Sequence, residues 1–222
     1  MPFKLEIACF TLDSAVKASF AGADRIELCE DYDKGGVTPS KEIIKQAKKS
    51  ITIPIHVIIR PRGGDFFYSE SEIQQMENDV AFCKEQKIDG VVIGILNTNK
   101  TIDQKNCQRL ISLARPMKIT FHRAIDECRD MEREMETLIE LGIDYVLSSG
   151  GKNSVMEGLQ TLKILQEKFK SKITIIPAGG IRSSNLESII EETNCKEFHS
   201  AAIMGEFSVK EINGLKNIIL SR

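Results

Sequence analysis

The chain has 222 residues, 41% apolar and 28% charged, with no tryptophan, the balance of a globular domain. Its 30 basic and 32 acidic side chains leave a net charge of −2, which lacks the polycationic footprint of a nucleic-acid binder. No apolar run approaches the roughly 20 residues that cross a bilayer, and 6 cysteines without a Cys-x-x-Cys pair argue against a disulfide scaffold.

Met1–Glu6 lacks the charged-then-apolar run of a secretory leader, so the cytoplasm is the expected setting, with no membrane or nucleic-acid partner. Phe3–Cys9 reads as a strand and Asp13–Ala21 as an amphipathic helix stopped by Gly22. Asp24–Cys29 is a second strand, with Ile26 and Leu28 facing one way and Arg25, Glu27 and Cys29 the other. After a turn-rich loop, Thr38 and Pro39 open a helix over 40–50, with Thr38 as its expected cap. Pro54–Arg60 is a third strand that runs into Arg60-Pro61-Arg62-Gly63-Gly64-Asp65. Ser69 and Glu72 form a capping box for a helix over 69–86. Strands over Asp89–Leu96, Met117–His122, Ile143–Ser148, Lys172–Pro177 and Cys195–Ser200 then alternate with helices over Asp103–Ala114, Asp130–Leu141, Ser154–Lys170, Ser183–Thr193 and Val209–Leu220.

Eight strand–helix units fill the chain with no linker, low-complexity run or charge block, so residues 1–222 are expected to form a single (β/α)8 TIM barrel of the α/β class. An open doubly wound sheet is the alternative, but it would bury both strand faces and read as nearly continuous apolar runs. Here one face carries Glu6, Glu27, His56, Arg60, Thr120, His122, Ser148, Thr174, Glu197 and His199, and the first strand is not followed by Gly-x-Gly-x-x-Gly.

In such a barrel, chemistry gathers at the carboxyl ends of the strands. Arg60 and Arg62 sit there on a glycine-rich loop, and guanidinium forks suit carboxylates and phosphates. Thr120-Phe121-His122-Arg123-Ala124-Ile125-Asp126 adds a histidine, a third arginine and a carboxylate. His122 has an unperturbed pKa near neutrality and is the acid–base candidate, with Glu27 and Asp126 beside it. His199 is also placed near the mouth, whereas His56 lies roughly 13 Å below Arg60 and reads as a satisfied interior histidine. Gly179 and Gly180 follow the seventh strand, where many barrels bind phosphate on backbone amides at a helix start. Cys9 and Cys29 end adjacent strands, and thiolates are soft donors that select Cu(I). By alternation Cys29 faces inward with Glu27 and Cys9 outward with Ile7.

The motifs GADRIELCE (22–30), GGVTPS (35–40), RPRGGDFFYS (60–69), TFHRAID (120–126), SSGG (148–151) and EFHSAA (197–202) span nearly the whole chain in order. On these the chain resembles the CutC copper homeostasis family. The resemblance implies a (β/α)8 barrel, cytosolic copper binding, and copper ligands at cysteines ending the first two strands. The second of those matches Cys29. The first falls at Cys9, one place later than the Glu-Val-Cys of many members, since this chain reads Glu6-Ile7-Ala8. The strand-seven glycine triplet of many members is Ala178-Gly179-Gly180 here. Two functions follow from different classes. One is a copper homeostasis protein holding Cu(I) through Cys29 and Cys9. The other is a barrel enzyme for a small anionic or phosphorylated metabolite, with Arg60, Arg62, Arg123, Gly179 and Gly180 binding the anion and His122, Glu27 and Asp126 moving protons. Its bland counterpart binds such a metabolite without turning it over. A homodimer or homotetramer is the expected assembly.

Overall fold

The structure is a computed structural model that describes residues 3–222. Met1 and Pro2, part of the expected 1–222 domain and of the segment read for a leader, lie outside the described residues.

The chain runs β1 (Lys4–Cys9), α1 (Leu12–Phe20), β2 (Arg25–Leu28), α2 (Lys41–Ser50), β3 (Ile55–Ile58), α3 (Glu70–Glu85), β4 (Gly90–Ile93), α4 (Gln104–Ala114), β5 (Lys118–Phe121), α5 (Met131–Glu140), β6 (Tyr145–Ser148), α6 (Leu159–Phe169), β7 (Thr174–Pro177), α7 (Leu186–Thr193), β8 (Glu197–Ser200), a short hairpin β9 (Ile203–Met204) and β10 (Glu206–Phe207), and α8 (Val209–Leu220). Strands β1 to β8 pair in parallel in the order β7-β6-β5-β4-β3-β2-β1-β8. Strands β7 and β8 lie side by side at the seam of the nearly closed barrel, and Ser200 Oγ donates across it to Ile181 O at 2.8 Å. The (β/α)8 barrel expected from the alternation is the fold.

Two apolar layers result from the period-2 alternation. Outward-facing Ile7, Cys9, Ile26, Leu28, Ile55 and Val57 pack with the helices in the main core. Each such aliphatic side chain stabilises the fold by about 1.5–3 kcal/mol when fully buried. Inward-facing Cys29, Ile58, Val92, Leu147, Ile176 and Ala178 form a second, central cluster. Ser148 is not on the inward face, contrary to the expectation, because Leu147 takes that place and Val146 lies in the outer core.

Local differences from the sequence reading have clear causes. Ser40, not Thr38, caps α2, because Thr38 Oγ1 accepts the Arg60 backbone N–H at 2.8 Å. The expected box of Ser69 and Glu72 does cap α3. Helix α6 starts at Leu159 rather than Ser154, since Gly158 passes so close to Ser149 and Gly150 that a Cβ there would overlap Ser149 O. Short 3-10 turns at Tyr32–Lys34 and Arg123–Glu127, and the 203–207 hairpin, carry no periodic signal in the sequence.

Candidate functional site

The barrel interior is polar at two depths. At the lower depth, the β1–β2 register sets Glu6 opposite Arg25. Arg25 Nε bonds Glu6, its Nη1 bonds Glu197 Oε2 at 2.8 Å, and its guanidinium lies 4.6 Å from the Tyr145 ring centroid. His56 sits nearby with Nδ1 3.3 Å from Thr120 Oγ1, the satisfied interior histidine expected. Burial, with Arg25 adding, pushes its pKa down to about 4.

Two residues beyond Arg25 and Glu197 on their strands, Glu27 and His199 line the floor of a cavity of about 280 Å3 at the carboxyl-end mouth. That volume is just below the roughly 300–1,000 Å3 of sites for drug-sized ligands, so it suits a small molecule. His199 Nδ1 is 2.7 Å from Glu6 Oε1, and its Nε2 is 3.7 Å from Glu27 Oε2. Burial works against the Glu6 carboxylate, but Arg25 and His199 outweigh it and hold Glu6 well below the usual range. Burial raises Glu27, with repulsion from Glu6 adding to it against the pull of His199. Burial also works against charge on His199, yet the bond to Glu6 and the charge of Glu27 raise its pKa.

Arg60, Arg123 and Arg182 line the same cavity, whose only acidic wall residue among the described residues is Glu27. Arg60 joins two loops: Nη1 donates to Lys34 O (2.8 Å) and Gly36 O (3.0 Å), and Nη2 to Gly64 O (2.8 Å). These bonds use three of its five N–H groups, and its Nε–H is buried without an acceptor. Arg123 bonds Asp126 through Nε (2.9 Å) and Ser149 Oγ through Nη2 (2.7 Å). A Cβ on Gly179 would stand 3.1 Å from Ser149 Cβ and 3.3 Å from Arg123 Nη1, on a backbone whose positive φ already favours glycine. Gly179 and Gly180 have φ of 97° and 90°, and a Cβ on Gly180 would meet nothing within 4 Å, so this loop faces open cavity. Arg182 is anchored to Ile181 O (2.7 Å) and Ile203 O (2.9 Å).

His122 stands across the cavity under Phe66, ring centroids 4.8 Å apart. The Ala124 N–H donates to its Nδ1 at 3.1 Å, which fixes the neutral tautomer with hydrogen on Nε2. That Nε2–H is buried without a partner. Burial, with Arg60 adding, pushes the His122 pKa down to about 3. In this geometry the nitrogen His122 has free is the protonated Nε2, while Nδ1 is taken up by the Ala124 amide.

Two expected residues lie elsewhere. Arg62 bonds Glu72 (2.6 Å), Asp65 (2.9 Å) and Phe67 O (2.7 Å) within its own loop and lines a separate groove. Asp126 accepts from Ser148 Oγ (2.6 Å), the Ser149 and Gly151 amides (3.0 Å each) and Arg123, and so holds the β6 loop instead of facing the cavity. Of the two cysteines, Cys29 is on the cavity wall and Cys9 is fully buried among the helices on the other side of the sheet. Burial raises both thiols, and Glu27 raises Cys29 further. Among the described residues no group of three or more His, Cys, Asp or Glu side chains is arranged to hold a metal, and no helix is long and apolar enough to cross a membrane.

Sequence reasoning missed Arg182, the bond from His199 to Glu6, and the glycines Gly90 and Gly94. A Cβ on Gly90 would stand 2.4 Å from His56 Cδ2, and one on Gly94 2.2 Å from His122 Cε1. Glycine inside a strand signals close approach, and the spacing of four along β4 was the readable sign that both meet inward rings.

A model of the CutC family matches residues 3–204. The chain is 44% identical over 200 residues to a human protein named copper homeostasis protein cutC homolog, covering 90% of this chain and 73% of that one. It is 44% identical over 199 residues to a CutC family protein of Parabacteroides distasonis, covering 89% and 82%. Among solved structures it is similar to CutC of Streptococcus agalactiae, with a TM-score of 0.86, 31% identity, and coverage of 90% and 98%.

Proposed function

Since the chain belongs to the CutC family, we propose that it acts in copper homeostasis and that the mouth cavity is where it meets its ligand. The relatives' name supports the role. The structural observation in its favour is Cys29, the one cysteine among the described residues on the cavity wall. The Cys9–Cys29 pair does not fit a two-thiolate Cu(I) centre. The two side chains lie on opposite faces of the sheet, and both thiols hold their protons more tightly than usual, whereas the metal needs thiolates. The copper reading therefore rests on Cys29 alone, a weak Cu(I) ligand. A Cu(I) titration against a competing chelator under reducing conditions tests it: Cys29→Ala abolishes the binding and Cys9→Ala leaves it. Equal affinity in wild type and Cys29→Ala removes copper from this cavity. The six cysteines, all free and buried, support a reducing, cytoplasmic setting. A homodimer or homotetramer is our reading of the assembly, which sedimentation at micromolar concentration checks.

A second reading is favoured by one observation: three guanidiniums share a small cavity wall with a single carboxylate. That wall supports binding of a small anionic or phosphorylated metabolite, held by Arg123, Arg182 and the Gly179–Gly180 loop. Arg60 contributes its unpartnered Nε–H and His122 its Nε2–H, and Glu27 exchanges the proton. Inorganic phosphate followed by 31P NMR is the probe. Arg123→Ala weakens binding by about tenfold, one hydrogen-bonded charge's worth, while Arg62→Ala matches wild type. Phosphate affinity equal in wild type and Arg123→Ala overturns the anion site.

A further inference from the structure

Two carboxylates of opposite character stand on adjacent strands, Glu27 on the cavity wall and Glu6 buried behind it, with His199 between them. Glu6 is tied to Arg25 and to His199 Nδ1, 2.7 Å away. A carboxylate on Nδ1 fixes the ring's orientation and its tautomer, and leaves Nε2 as the working nitrogen. Nε2 points to the Glu27 carboxylate at 3.7 Å, beyond hydrogen-bond distance, and no nitrogen or oxygen donor of the described residues bonds that carboxylate. The gap between them opens onto the cavity, which both side chains line. The charged groups acting on His199 are Glu6 from β1 and Glu27 and Arg25 from β2.

We propose that His199, oriented by Glu6 and working with Glu27, is the proton-transferring pair of this cavity, for a small anion that carries a carbonyl group beside a carbon-bound hydrogen. The inference rests on the anion reading above, since Arg123, Arg182 and the Gly179–Gly180 loop hold the anionic end and leave the carbonyl at the floor. The Glu27 carboxylate removes the proton from the carbon next to the carbonyl, and the electron pair of that C–H bond forms the C=C bond of an enol. His199 acts as the imidazolium: its Nδ1–H stays on Glu6, and its Nε2 gives its proton to the carbonyl oxygen as the C=O π pair moves onto that oxygen. One proton leaves the ligand and one arrives, so no oxidant, reductant or second substrate is needed. Return of a proton from Glu27 to carbon, with the enol O–H proton going back to His199 Nε2, re-forms the carbonyl and restores both side chains. Two carboxylates whose surroundings push their affinities for protons apart are the usual sign of such a division of labour. His199 and Glu27 are the catalytic residues, and Glu6 is a positioning residue.

The full chain is incubated in D2O with dihydroxyacetone phosphate, which joins a phosphate to an α-hydroxyketone, and loss of the carbon-bound proton signal is followed by 1H NMR. The expected result is exchange above the protein-free rate. His199→Asn and Glu27→Gln each slow it at least about a hundredfold, the usual worth of a positioned acid or base, with phosphate affinity kept. Glu6→Gln moves the alkaline limb of the pH–rate profile to lower pH, a shift that a merely structural role would not produce. Binding of the probe without exchange, or exchange untouched by His199→Asn and Glu27→Gln, overturns this inference and leaves the anion site standing. Failure of wild type to bind either inorganic phosphate or the probe overturns the anion site and the inference together.

Discussion

Lowering the pH from 7 to 5 offers protons to imidazoles that the fold keeps neutral. His56 is 2% exposed, and burial together with Arg25 depresses its pKa from 6.5 to about 4. Between those values the unfolded chain binds the proton and the folded protein does not, so acid favours unfolding. For this single group the linkage relation gives a loss of about 2 kcal/mol between pH 7 and pH 5. Below pH 4 the slope ends, because both states are then protonated. His122, depressed from 6.5 to about 3, contributes a further loss of about 2 kcal/mol over the same interval. Groups with raised pKa act in the opposite sense: His199 becomes stabilising as the pH falls through its folded value, and the cost of an ionised Glu27 is relieved. The clean measurement is therefore a difference. Urea unfolding at pH 7 and pH 5 is compared for wild type and His56→Asn, and the variant's stability falls by about 2 kcal/mol less. Parallel pH dependences for the two proteins would refute the assignment of a neutral, buried His56.

Arg25→Ala leaves Glu6 and Glu197 buried without their shared cation and costs about 3–5 kcal/mol of stability in urea unfolding. Glu6→Gln also destabilises at neutral pH, and the difference from wild type shrinks below the ordinary carboxylate range because Glu6 is stabilising only while ionised. Glu27→Gln has the opposite sign, raising the melting temperature at pH 8, since a carboxylate with raised pKa is a burden on the fold when charged. Gly94→Ala places a methyl group 2.2 Å from His122 Cε1, costs about 1–3 kcal/mol by overpacking and shifts the His122 ring resonances in NMR.

The barrel was legible because its cause is periodic. Alternation in Ile55-His56-Val57-Ile58 or Glu197-Phe198-His199 states which side chains face in, and eight repeats of strand and helix leave few other topologies. Which inward residues work together was less legible, because it depends on register between strands distant in sequence. Glu6 meets His199 across 193 residues, and nothing near either residue encodes that meeting. Arg62 and Arg60 look equivalent in Arg60-Pro61-Arg62, yet Glu72 and Asp65 draw Arg62 out of the cavity. Asp126 reads as a catalytic carboxylate, but the loop amides of Ser149 and Gly151 converge on it.

The register also explains why the two inward carboxylates differ. Glu6 lies level with Arg25 on β2 and with His199 on β8, so its charge is satisfied from both neighbours. Glu27 lies level with Ala8 on one side and His56 on the other, and His56 is neutral near pH 7. Among the described residues no cation therefore pairs with Glu27 from its own level, and the imidazole nearest it, His199, is shared with Glu6. A carboxylate left in that position raises the free energy of the folded state, a cost that selection for folding alone would remove. Alanine at position 8 keeps the wall beside Glu27 low and open to the cavity, where an arginine at the same level would have closed the ion network. Deeper in the barrel Arg25 pairs with Glu6 and Glu197, while the wall of the mouth cavity carries Glu27, the imidazoles of His122 and His199, and the guanidiniums of Arg60, Arg123 and Arg182.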